Sequence, residues 1–173
     1  MDLSKFLRGQ AAMEYLMTYG WALLVIVIAI AILLIINPFS PPQGCRFDQV
    51  GFSCNNPVIQ SSSSLFLQIN NGNSNAIKVC KVVCTTDKVA PTLATCGTPL
   101  ITLRNSQTYE TTVAGTGGHT TKCYTDAGAT VLLNPAAGAT VTAKVYLFYQ
   151  NEEDTTSYPP RTAIATVTTK AVQ

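Results

Sequence analysis

The run from Leu16 to Ile36, LMTYGWALLVIVIAIAILLII, limits what this chain can become more than any other part of it. Only Thr18, Tyr19 and Gly20 dilute its apolar character. An α-helix needs about 20 such residues to cross a bilayer core of roughly 30 Å. Between Trp21 and Ile36 no polar stripe recurs at the helical period. A helix apolar all round must be buried on every side, in lipid or among other helices. Asn37-Pro38 stops it, because proline disfavours the helical conformation of the residue before it. The proline-rich residues 38–44 then predict a stiff, extended linker. Lys5 and Arg8 precede the apolar run, which predicts a cytoplasmic N-terminus and an outer remainder. A secretory signal is one alternative, but the run outlasts a usual signal core and INPFSPPQG offers no A-x-A-like cleavage site. A plain signal anchor is the other.

Beyond Pro38 the composition turns to Thr, Ser, Asn, Gly, Val and Ala, which marks a domain boundary. Charged residues make up 12% of the chain and the net charge is +2, so neither a solvated charged surface nor a nucleic-acid partner is expected. Short β-like runs alternate with turn signals over residues 45–173. SLFLQIN sets Leu65, Leu67 and Ile69 on one face, and NNGNSN follows as a turn with Asn-Gly inside it. AIKVCKVVCT reads as the return strand, with PLITL, TYETTVA, TVLL, ATVTAKVYLFYQ and RTAIATVTTKAV as further strands. In VTAKVYLFYQ, Val141, Ala143, Val145, Leu147 and Tyr149 alternate with Thr142, Lys144, Tyr146, Phe148 and Gln150. The expectation is an α+β chain: a long N-terminal hydrophobic helix followed by an all-β, immunoglobulin-like sandwich.

The cysteines, Cys45, Cys54, Cys80, Cys84, Cys96 and Cys123, all follow the apolar run. An even number confined to one side of a membrane segment predicts disulfides in an oxidising space. Short loops favour Cys45–Cys54 and Cys84–Cys96, leaving Cys80–Cys123. A zinc site on Cys80, Cys84, His119 and Cys123 is the rival, and it would strand Cys96.

Glu14 stands at the head of the apolar run. An unpaired carboxylate there is costly to bury and calls for a partner, unless it simply lies in the headgroup layer. Arg8 does not face it along a helix. If the chain is cut after Gly9, however, Gln10 carries a new α-amine on the helical face of Glu14. That amine can pair with Glu14 of its own chain or of a neighbour. Gly20 would allow close helix approach.

Arg8, Gly9, Gln10 and Glu14, followed by EYLMTYGWALLVIVI, resemble the class III signal peptide of archaeal type IV pilin-like proteins. Ala12 stands where that family often has serine. The resemblance implies a leader over residues 1–9, removed by a prepilin peptidase, and a mature helix over 10–37 that leaves the membrane to form a filament core. It implies a helical homopolymer at the archaeal cell surface, assembled by a cytoplasmic ATPase and a membrane platform protein, with adhesion as its task. The chief alternative is a surface binding protein that stays anchored and does not polymerise, or a minor pilin. An enzyme is not expected, since no nucleophile–base set stands out and His119 is the only histidine. No cofactor is expected. Glu152, Glu153 and Asp154 read as a solvated turn rather than a calcium loop. No Asn-x-Ser/Thr sequon occurs.

Overall fold

A computed structural model describes residues 3–36, 42–111, 119–155 and 158–173. In the helix, side chains are described for residues 13–15 and 17–35. The chain divides into two compact units, Met1–Pro41 and Pro42–Gln173.

The first unit holds α1, Leu3–Ile36, of 34 residues. It starts ahead of Gln10, the expected start of the mature helix, so Gly9 and Gln10 lie inside a continuous helical backbone rather than at its edge. Its span Met13–Ile35 has a mean hydropathy of 2.7 and is long and apolar enough to cross a membrane. Most of the expected linker, residues 38–41, lies outside the described residues.

The second unit is built of strands: β1 Gly44–Phe47, β2 Phe52–Gln60, β3 Ser64–Asn71, β4 Ile77–Thr85, β5 Ile101–Leu103, β6 Thr108–Thr111, β7 Thr121–Tyr124, β8 Thr140–Asn151 and β9 Arg161–Val172. Their pairing overturns the expected α+β class with an immunoglobulin-like sandwich. Strands predominate, and six of them close a ring. Around that ring β2 pairs β3, β3 pairs β7, β7 pairs β4, β4 pairs β8, β8 pairs β9, and β9 returns to β2. A sandwich leaves two sheets with open edges, whereas this head is a closed β-barrel. The closing links are two short parallel pairs, Cys84–Thr85 on Cys123–Tyr124 and Ile59–Gln60 on Ala171–Val172. Alternating strands look alike in both architectures, so only these links separate them.

The interior is filled by alternate side chains. Val141, Ala143, Val145 and Leu147 of β8 are buried, as are Leu65, Leu67 and Ile69 of β3. The small interior residues of β9, Ala163, Ala165 and Ala171, let a six-stranded ring close around the larger ones. The outer face of β4 and β8 is also covered. Val83, Tyr146 and Phe148 pack with Cys80, Leu93, Ala129 and Ile164 in a second apolar cluster.

Two local readings change. AIKVCKVVCT is a strand, but it does not return along β3, because β7 lies between β3 and β4 in the sheet order. TVLL is no strand; Leu132 alone forms a bridge, to Tyr124. Neither β1, β2 nor β7 stood out by alternation. β2 contains Pro57, and its register on β3 shifts between Asn55 and Val58, the bulge at which a sheet tolerates proline.

The disulfides join Cys45 to Cys54, Cys80 to Cys96 and Cys84 to Cys123. The first is as expected and the other two exchange partners. The cause is a bulge in β4. The register on β8 shifts between Val79 and Lys81, so Val79 and Cys84 both point inward while Cys80 turns outward. Cys84 then sits directly beside Cys123 in the parallel pair, with Cα atoms 4.5 Å apart. Cys80 meets Cys96 of the segment that covers the outer cluster.

Tyr109 of β6 is buried, 2% exposed, and its hydroxyl has no hydrogen-bond partner among the described residues. Burial pushes its phenol up to about 12; Thr121 eases this slightly, short of an ordinary hydrogen bond. A raised phenol favours the neutral form in the fold. Its contribution is therefore full below the unfolded value of about 10 and falls as pH climbs toward 12. Tyr109→Phe is expected to flatten that alkaline loss in pH-dependent urea unfolding. At neutral pH it should be neutral or stabilising by up to about 1 kcal/mol, since it removes an unmet polar group.

Candidate functional site

Every described side chain between Met13 and Ile35 is exposed. Trp21, Leu34 and Ile35 are among the most exposed large hydrophobic side chains of the described residues. An apolar surface of this extent is not left bare in water and marks a contact with lipid or protein.

Glu14 begins that surface and is exposed. Its main-chain carbonyl accepts the Thr18 hydroxyl at 2.9 Å, and its carboxylate has no hydrogen-bond partner among the described residues. One turn apart, Tyr15 and Tyr19 stack with ring centroids 6.1 Å apart. Together with Thr18 and Ala22 these residues line a shallow hollow on the helix. A carboxylate, two aromatic plates and a small residue thus share one end of an otherwise aliphatic rod.

The backbone is helical over both Gln10 and Glu14, so these stations lie one turn apart on one face. The side chains of Arg8 and Gln10 lie outside the described residues, as do any contacts of Gly9. At Gly20 an added Cβ would meet nothing within 4 Å, so the helix itself does not require glycine there. The open space suits the close approach of a second backbone.

On the barrel, all six cysteines are consumed in disulfides, which removes the thiolates that a zinc site on Cys80, Cys84 and Cys123 would need. His119 forms a bridge to Thr111 and stacks on Tyr109 at 5.8 Å, so its ring is held in packing. The acidic trio is a hydrogen-bonded turn. Asp154 pairs with Arg161 at 3.0 Å and accepts the Asn151 N–H, while the Glu152 carbonyl accepts the Lys78 ammonium. Asp126 accepts N–H groups of Thr130 and Val131, and these bonds hold its carboxyl below the ordinary range.

Sequence reasoning missed the Tyr15–Tyr19 pair, though their spacing of four was legible. It also missed the part played by Asn71, which looked like an ordinary turn residue. No family model, curated protein or solved structure matches the chain.

Proposed function

We propose that this chain is a structural subunit of an archaeal type IV pilus-like extracellular filament, with surface adhesion as its task. The observation that carries the reading is an apolar helix whose described side chains are all exposed, headed by Glu14, one turn beyond Gln10 and the Arg8-Gly9 pair. The precursor rests in the membrane with its N-terminus in the cytoplasm. A prepilin peptidase opens the bond between Gly9 and Gln10, and an ATPase and a platform protein drive assembly. Removing Lys5 and Arg8 takes away the cationic hold on the cytoplasmic face. The helix then exchanges lipid for copies of itself at little hydrophobic cost, so packing and the pairing of Glu14 with the Gln10 amine decide the gain. The disulfide-braced barrel forms the outer sheath.

The test is mass spectrometry of the chain recovered from cells, together with filaments sheared from their surface. The expected result is an N-terminus at Gln10 and this chain as the main filament protein. A chain that keeps Met1 to Gly9 and is missing from the sheared fraction would mean an anchored surface protein instead.

A further inference from the structure

We infer that Asn71-Gly72 is a latent deamidation site that the folded barrel holds shut, and that its conversion is a one-way exit from the native state. An asparagine followed by glycine is chemically labile. The glycine nitrogen attacks the side-chain carbonyl carbon, ammonia leaves, and water opens the resulting succinimide to aspartate or isoaspartate. Each element of that reaction is blocked here. The attacking nitrogen of Gly72 donates its N–H to the Gly51 carbonyl at 2.8 Å. Asn71 is fully buried, and its Nδ2 donates to the carbonyls of Asn75, Leu103 and Arg104 at 3.1, 3.0 and 3.3 Å. Its Oδ1 accepts the backbone N–H and the side-chain amide of Asn73 at 3.1 and 3.0 Å. The main chain is held as well, since Asn71 N–H donates to Gln107 and Ser106 N–H donates to the Asn71 carbonyl.

The same contacts make the product incompatible with the fold. An aspartate would keep the two Asn73 donors on one oxygen but set the other against the Asn75, Leu103 and Arg104 carbonyl oxygens that now receive N–H groups, and a buried charge facing only acceptors there is strongly unfavourable. An isoaspartate would add a backbone carbon after the last residue of β3 and displace both the residue-71 carbonyl from the Ser106 N–H and the Gly72 N–H from the Gly51 carbonyl. A chain that opens this corner for long enough therefore cannot close it again. The fold itself does not demand glycine at 72. Its φ is not in the left-handed region, and an added Cβ would meet the Gly51 carbonyl at 3.4 Å, an ordinary contact.

The experiment incubates the full-length chain in detergent micelles in mildly alkaline buffer, either native or in urea with a thiol reductant. Peptide mapping follows aspartate and isoaspartate at residue 71, with exposed Asn105, followed by Ser106, as the internal comparison. In urea, Asn71 should convert faster than Asn105. In the native chain the order should reverse, with Asn71 slowed about a thousandfold or more, because conversion has to pass through rare opening. Native conversion of Asn71 within about tenfold of the unfolded rate would overturn the inference. Gly72→Ala should fold like the parent and lose most of the fast conversion in urea. Asn71→Asp should fail to regain the native barrel after dilution from urea, and its recovery to parental stability would overturn the one-way exit.

Discussion

Replacing Cys84 and Cys123 together by alanine is expected to destabilise the barrel by about 4 kcal/mol from chain entropy alone. The bridge spans 39 residues, the longest separation of the three. By the same relation Cys80–Cys96, at a separation of 16, contributes about 3 kcal/mol, and Cys45–Cys54, at 9, about 2.5 kcal/mol. Position adds to length. Both sulfurs of Cys84–Cys123 lie inside the barrel core, so the double variant also leaves a void there. The bridge ties two strands that share only a two-residue parallel pairing, one of the weakest links in the ring. Urea unfolding of the full chain in detergent checks the ranking. Cys84–Cys123 should show the largest drop in midpoint, and a larger drop for Cys45–Cys54 would refute this account of the closure.

Glu14→Ala is expected to abolish filaments while leaving membrane insertion intact. The carboxylate is exposed in the single chain and makes no ion pair among the described residues. In the proposed bundle it meets the amine of Gln10. Removing it would leave a buried cation without its partner, a loss of about 3–5 kcal/mol per contact. Repeated along a polymer, that loss exceeds what helix packing returns. Electron microscopy of sheared material, with membrane fractionation as the control, reads the outcome. Normal filaments from the variant would remove the pairing from the proposal and leave helix packing as the sole source of cohesion.

The parts of the fold that sequence revealed are those written in local pattern. Leu65, Leu67 and Ile69, and the alternation from Val141 to Tyr149, face the core as their period of two dictates. The apolar helix announces itself by composition. What stayed hidden depends on pairing between distant segments. Closure rests on Ile59 meeting Ala171 and Cys84 meeting Cys123, contacts that leave no trace in either partner's own neighbourhood. The disulfide exchange has a similar cause. Cys80 and Cys84 share a face of a regular strand, and only the bulge after Val79 separates them. Asn71 read as half of a hairpin turn, yet its amide ties the corner between β3 and β4 to the segment after β5. The stretch that carries the functional proposal, Arg8 to Glu14, lies within one short window and needs no long-range pairing to be read.

β9 bonds to β1, β2 and β8, as many neighbours as β3 and β4 have and more than any other strand of the ring. It also follows every one of them along the chain. As the polypeptide emerges, the earlier strands must therefore wait, their edges unsatisfied, until β9 arrives to stitch them shut. Closure of the ring is postponed until Arg161–Val172 has been made, and a half-made sheet stays exposed until then.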